Sequence, residues 1–161
     1  MKLFIHGLES SNQGKKAVYF KEHFPDMVIP NFTGDLPERM DKLKRILEGK
    51  TGIIMAGSSY GGLMASLFAM EYPTRVQRLI LLAPAINFIE TSGYRTKKLT
   101  VPTWVFHGIK DDVIPLRAVE EASDKYFTNP VFSLVDDDHF LSRTFDTIDW
   151  PMLLLEGDKN T

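Results

Sequence analysis

The residues best suited to chemistry lie in Gly57-Ser58-Ser59-Tyr60-Gly61. This pentapeptide has the pattern G-x-S-x-G, and it joins the apolar run Ile53-Ile54-Met55-Ala56 to a second apolar stretch, Leu63 to Met70. A plain strand-to-helix connection does not need a glycine two positions either side of one serine. A nucleophile elbow does, because the strained turn that lifts the serine hydroxyl into solvent leaves no room for neighbouring side chains. Ser59 is therefore the candidate nucleophile.

A serine hydroxyl attacks poorly near neutral pH and needs a base within hydrogen-bond reach. The chain has four histidines. His23 falls on the exposed part of an amphipathic stretch and reads as a surface residue. His6 and His107 each end an apolar run and precede a glycine. His139 directly follows the last apolar run, in Asp136-Asp137-Asp138-His139-Phe140, so its loop should open on the same edge as Ser59. His139 is the candidate general base, and later general acid. The third requirement is a carboxylate that fixes the imidazole tautomer and stabilises the imidazolium. Two are offered by Phe106-His107-Gly108-Ile109-Lys110-Asp111-Asp112-Val113-Ile114-Pro115.

These residues need elements to position them. Short apolar runs at 2–6, 27–30, 52–56, 78–83, 103–107 and 131–135 predict six strands. Helices are expected between them. Residues 14–24 carry Ala17, Phe20 and Phe24 on one face, and 36–48 carry Leu36, Met40, Leu43 and Leu47. The second has Asp35 as N-cap, Glu38 three residues on and Gly49 at its end. Residues 60–71 are apolar almost all round, as in a helix buried under a sheet. Pro115 opens a helix at about 115–127, and 144–156 is expected to be helical, with Pro151 blurring its start. Strand and helix alternate, so the expectation is one α/β domain over 1–161, with a six-stranded, mostly parallel sheet and helices on both faces.

Composition narrows the function. With 161 residues, 43% of them hydrophobic, the chain can bury its own core, and a net charge of −2 gives no basis for a nucleic-acid partner. No run reaches the roughly 18 apolar residues of a membrane span. The first residues are too briefly apolar for a signal peptide, so cytoplasm is the expected location. The absence of cysteine excludes disulfides and thiolate sites. No cofactor or metal is expected: Asp136, Asp137 and Asp138 alternate in direction on an extended segment and read as a solvated loop. Nothing in the sequence fixes an oligomeric state.

From Leu3 to about Leu155 the chain resembles the α/β-hydrolase superfamily, and within it the small bacterial esterases of the YqiA-like branch. The resemblance rests on Phe4-Ile5-His6-Gly7-Leu8 after the first strand, Gly57-Ser58-Ser59-Tyr60-Gly61-Gly62 at the elbow, and the segments holding Asp111 and His139. It implies the order nucleophile, acid, base, with Asp111 rather than Asp112 as the acid. It also implies an oxyanion hole made by the backbone N–H groups of Leu8 and Tyr60. The chain departs from larger members in lacking both the initial antiparallel strands and a cap domain, since only 86–100 separate the fourth and fifth expected strands. Met64, Phe88, Ile114 and Phe140 are candidates for an acyl pocket, although such residues are more often plain core. The expected activity is hydrolysis of a carboxylic ester or thioester through an acyl-enzyme, on a small-molecule substrate with a short acyl chain. Acyl transfer or amide cleavage on the same triad, and a non-catalytic hydrolase-like binding module, are the alternatives.

Overall fold

The computed structural model describes residues 1–155. Its sheet has five strands, β1 (Lys2–Ile5), β2 (Ile53–Ser58), β3 (Val76–Leu82), β4 (Thr103–Gly108) and β5 (Val131–Val135), all parallel and in that spatial order. The expected sixth strand, 27–30, lies against β1 but forms only the single bridge of Val28 to Leu3. The N–H of Val28 donates to the Lys2 carbonyl and its own carbonyl accepts from Phe4. Two residues on, where the ladder would next need a donor toward β1, stands Pro30, which has none.

The helices are α1 (Lys15–His23), α2 (Leu36–Ile46), α3 (Tyr60–Glu71), α4 (Leu116–Tyr126) and the short α5 (Trp150–Leu153). The capping box of α2 is complete: Asp35 accepts the Glu38 N–H and Glu38 accepts the Asp35 N–H, both at 3.0 Å. Gly49, just beyond, takes the left-handed φ of 67°. Pro115 precedes α4 as its N-cap rather than entering it. The long C-terminal helix expected at 144–156 is instead a 3₁₀ turn at Phe145–Thr147 followed by α5. Pro151 cannot donate to the Thr147 carbonyl, so the helix breaks there and restarts from Asp149, whose side chain accepts the Met152 N–H.

The distribution of helices over the two faces follows from chain direction. After β1 the chain runs outward through α1 to the segment at Val28, then returns past β1 through α2 to β2. Right-handed crossovers taken in opposite directions put their helices on opposite faces. Accordingly, Ala17 and Phe20 of α1 pack with Phe4, Ile54, Ile80 and Leu82 on one face. Met40 and Leu43 of α2 join α3, α4 and Leu3, Met55, Leu79 and Leu81 on the other. The reversal lies between β1 and β2, and beyond the carboxyl ends of such a pair the chain leaves a crevice.

The face bearing α1 is closed by the C-terminal segment. The fully buried Trp150 sets its ring edge-on to Phe20 at 4.8 Å and donates Nε1–H to the Phe145 carbonyl at 2.9 Å. Loss of the indole would open a void against Phe20 and Phe145, whose rings both pack on it. Trp150→Ala should destabilise the protein by about 3–5 kcal/mol, read from urea unfolding, without altering the arrangement around Ser59.

Candidate active site

Ser59 stands between β2 and α3 with φ 53° and ψ −115°, outside the conformations a residue with a side chain readily adopts. Its N–H donates to the Leu82 carbonyl, and its carbonyl accepts from Gly62, Leu63 and Ala85. The turn is tight enough that a Cβ on Gly57 would lie 2.5 Å from the Gly61 carbonyl oxygen. A Cβ on Gly61 would strike the carbonyl of Ile5, and one on Gly62 would lie 2.7 Å from Pro84 Cβ. The glycines after the serine are thus required by the approach of β1 and the segment after β3. Gly57 is required by the elbow's own backbone.

His139 and Asp111 come to the serine from the loops after β5 and β4. His139 Nε2 is 3.1 Å from Ser59 Oγ, and His139 Nδ1 is 2.8 Å from Asp111 Oδ2. The Asp111 side chain is wholly buried, that of His139 nearly so. Asp111 Oδ1 accepts the N–H groups of Val113 and Ile114 at 2.9 and 2.8 Å, which fixes the carboxylate plane. The adjacent Asp112 is exposed to solvent.

The base loop has a scaffold that the sequence did not disclose. Asp136 is indeed exposed, pairing with Lys110, but Asp137 is buried and does not belong to a solvated loop. One of its oxygens accepts the Asp138 N–H; the other accepts the N–H groups of Arg143 and Thr144 and the Thr144 hydroxyl. Burial pushes this carboxyl's pKa upward, but the hydrogen bonds outweigh it and hold the group below the ordinary aspartate range. Asp138 accepts the Phe140 N–H, and Lys16 of α1 donates to the Phe140 carbonyl at 2.6 Å. Burial lowers the Lys16 pKa against the attraction of Asp138 and Asp137. Gly108, at the end of β4, lets the loop pass: a Cβ there would lie 2.6 Å from the Asp138 carbonyl oxygen.

The first loop faces the serine from the other side. A Cβ on Gly7 would stand 3.3 Å from Ser59 Cβ, so Leu8 begins beside Ser59. Among the described residues no acceptor takes the N–H of Leu8 or of Tyr60, the latter lying in the first turn of α3, where such donors are free. The loop is held by His6, which is buried and bonds the Gly7 carbonyl through Nδ1 at 2.8 Å while Nε2 accepts the Phe32 N–H at 2.9 Å. That pattern is a neutral ring, consistent with burial, aided by the Arg39 charge, pushing its pKa down. Arg39, unforeseen from the helical pattern, is buried on α2; it donates to the Gly34 carbonyl and lies 5.6 Å from the centroid of the Tyr60 ring. No carboxylate pairs with it among the described residues.

Of the four pocket candidates, two are not at a surface. Met64 is completely buried in the core between α3 and the sheet, because the α3 face that follows the elbow turns inward. Ile114 is also core, and its contribution here is the N–H given to Asp111. Phe88 and Phe140 are exposed, at 50% and 65%, as is Leu8 at 49%. Phe140 sets its ring edge-on to His139 at 5.8 Å, and the 3₁₀ turn holding Phe88 (Ile86–Phe88) follows the Ala85 bond to Ser59. Apolar side chains therefore stand near the serine in the open. Residues 89–100 form no cap over them: Tyr94 packs against the core and Leu99 bridges to Phe127.

Residues 28–94, less than half of the chain, match the sequence profile of a family described as serine aminopeptidase, S33. No curated protein matches the chain in sequence. Among solved structures, mouse alpha/beta hydrolase domain-containing protein 10 superposes with a TM-score of 0.74 at 20% identity, covering 90% of this chain and 84% of that one. A protein of the alpha/beta hydrolase superfamily from Xanthomonas campestris gives 0.71 at 24% identity, covering 91% and 90%. Est1E from Butyrivibrio proteoclasticus, with ferulic acid bound, gives 0.73 at 17% identity, covering 91% and 83%.

Two outcomes are expected from this geometry. Asp111→Asn should reduce kcat by about 10⁴-fold, by stabilising the wrong histidine tautomer, while Asp112→Asn should change it little. Steady-state kinetics on both variants decides, and reversed effects would transfer the acid's role to Asp112. Asp137→Asn should lower stability at pH 7. Because the folded pKa of Asp137 is depressed, its contribution is present above the unfolded pKa and is lost as pH falls through the folded one. The stability gap between variant and wild type, measured by urea unfolding, should accordingly shrink with acidification.

Proposed function

The chain has the α/β-hydrolase fold, and from that premise we propose that it is a serine hydrolase acting on a carboxylic ester or thioester through an acyl-enzyme. The observation that carries this reading is the unbroken line from Ser59 Oγ through His139 to Asp111, with contacts of 3.1 and 2.8 Å, on a serine held at φ 53°. A binding module would have no physical use for a strained serine aligned with a buried base and acid.

The chemistry then follows from the positions. Ser59 Oγ attacks the substrate carbonyl as its proton passes to His139 Nε2. The tetrahedral oxyanion takes hydrogen bonds from the N–H groups of Leu8 and Tyr60, each worth about 2.7–4 kcal/mol in comparable hydrolases. The bond to the leaving oxygen or sulfur breaks, and that atom receives the proton from His139. Water repeats the sequence on the acyl-enzyme: it gives a proton to His139 as it attacks the acyl carbon, and the bond to Ser59 Oγ breaks as His139 returns that proton to Oγ, releasing the acid and free Ser59. Asp111 holds the Nδ1–H tautomer and offsets the imidazolium charge.

Two further observations support acyl chemistry. A structure of the same fold holds ferulic acid, a carboxylic acid of the kind ester hydrolysis releases. The partial match to a family described as serine aminopeptidases favours amide cleavage as a second reading. Aminoacyl p-nitroanilides tested beside p-nitrophenyl esters separate the two.

With no cap above Leu8, Phe88 and Phe140, a long acyl chain would remain largely in water, forfeiting roughly 0.8 kcal/mol for each methylene left unburied. The expected optimum is therefore at short chains, about two to six carbons, with no rise in rate at a lipid–water interface. The test is kcat/KM for p-nitrophenyl esters from acetate to palmitate, alongside fluorophosphonate labelling of wild type and Ser59→Ala. Labelling should be lost in the variant. A label on Ser58 would overturn the nucleophile assignment, and a maximum at long chains would show that residues 86–100 fold over the substrate.

A further inference from the structure

His107 is a buried histidine that the proposed reaction does not use. It sits next to the end of β4 with its side chain wholly excluded from solvent. Its Nε2 lies 3.1 Å from the Ile114 carbonyl oxygen and 3.6 Å from Asp111 Oδ2. Both neighbours are acceptors, so the hydrogen belongs on Nε2. Its Nδ1 is buried and has no hydrogen-bond partner. A core needing only volume at this point would be better served by leucine or phenylalanine, since an unpaired buried nitrogen costs stability.

The needs of Asp111 account for the ring. Its Oδ1 is occupied by two backbone N–H groups, and Oδ2 by His139. His107 Nε2, 3.6 Å from Oδ2, gives its hydrogen to the Ile114 carbonyl, and the N–H of that same Ile114 bonds Oδ1. We propose that His107 is a positioning residue for the triad, bracing through Ile114 the turn that holds the Asp111 carboxylate and placing its N–H dipole beside Oδ2, where it moderates how strongly Asp111 draws a proton onto His139. Its charged and titratable surroundings are Asp111, Glu120 and His139. Burial keeps its pKa below the ordinary histidine range despite the pull of Asp111. A neutral ring is what the role requires, because a second imidazolium beside Asp111 would oppose the one forming on His139.

Removing the Nε2 donor has two consequences. The carboxylate is freer to rotate, which lowers kcat more than it raises KM. The N–H dipole 3.6 Å from Oδ2 is also lost, so the acidic limb of the kcat/KM profile moves to higher pH. Loss of the hydrogen bond from His107 to the Ile114 carbonyl, which braces the turn holding Asp111, corresponds to about tenfold in kcat. Glutamine can present an amide N–H close to the position of the imidazole Nε2.

This inference rests on the triad reading, and its test combines kinetics with a measurement that needs no turnover. His107→Leu should lose about tenfold in kcat with a raised acidic limb, and His107→Gln should recover most of both. Wild-type kinetics in His107→Leu would overturn the proposal. So would equal losses in the two variants with an unmoved limb, since packing alone explains that result. In the wild-type protein, ¹⁵N NMR of the imidazoles should show His107 as the neutral Nε2–H tautomer throughout the titration of His139. An Nδ1–H tautomer overturns the proposal even where His107→Leu does not fold. If instead Ser59→Ala keeps its fluorophosphonate label, the triad reading has failed, and the NMR result stands apart from it.

Discussion

The backbone of Ser59, at φ 53° and ψ −115°, is the constraint on which the rest depends. A strained conformation of this kind costs of order 1–3 kcal/mol and persists only where its surroundings determine it. Here the surroundings are four main-chain hydrogen bonds, one from the serine N–H to Leu82 and three to its carbonyl from Gly62, Leu63 and Ala85. Two of these partners lie on or just beyond β3, so the elbow is clamped between its own helix and the neighbouring strand. The clamp requires β1, the start of α3 and the segment at Pro84 to approach more closely than side chains permit. Gly61 and Gly62 answer that need.

The clamp also fixes where chemistry can happen. Because α1 and α2 leave opposite faces of the sheet, the ends of β1 and β2 part above the switch point, with Gly7 beside Ser59. The two remaining functional groups arrive on loops, and a loop positions a side chain well only if it has its own supports. Asp111 is held by two N–H groups of its own turn. The longer base loop leans on Asp137, which gathers four hydrogen bonds, and on Lys16, which reaches across from α1. Gly108 removes the side chain that would keep the two loops apart.

How much of this the sequence disclosed depended on whether the signal was local. The elbow was legible because glycines, strand and helix lie within twenty residues or so. Asp111 and His139 were legible as types and order, since each follows an apolar run directly. The capping box of α2 was legible because its partners are three residues apart. Asp137 was not: its partners Arg143 and Thr144 sit six and seven residues on, in a segment without periodicity, so an aspartate in an acidic run looks solvated. Val28 looked like a strand because apolar content does not reveal that Pro30 cannot extend the ladder. Met64 looked like a pocket residue because its sequence distance from Ser59 hides the inward turn of α3. Arg39 lies beside Met40 on the flank of the helix's apolar stripe, where a pattern of hydrophobic positions assigns it to solvent.

The buried polar atoms left unpaired follow the same geography. Among the described residues the unpaired buried side-chain atoms are Nη1 of Arg39, Nε of Arg78, Oδ1 of Asn87, Nδ1 of His107 and Oγ of Ser123. Three of the five belong to residues around the serine: Arg39 under Tyr60, Asn87 in the turn after the Ala85 bond, and His107 behind Asp111. Hydrophobic packing supplies this fold with stability elsewhere, in the two clusters on either side of the sheet. At the carboxyl edge the chain keeps buried charge and unsatisfied nitrogen that an apolar replacement would remove. Local packing rules are thus broken near the strained Ser59, with the cost carried by the rest of the core. The loop after β1 is held by a buried polar group in the same way: His6 bonds the Gly7 carbonyl and the Phe32 N–H through its two ring nitrogens, and no described residue takes the N–H of Leu8.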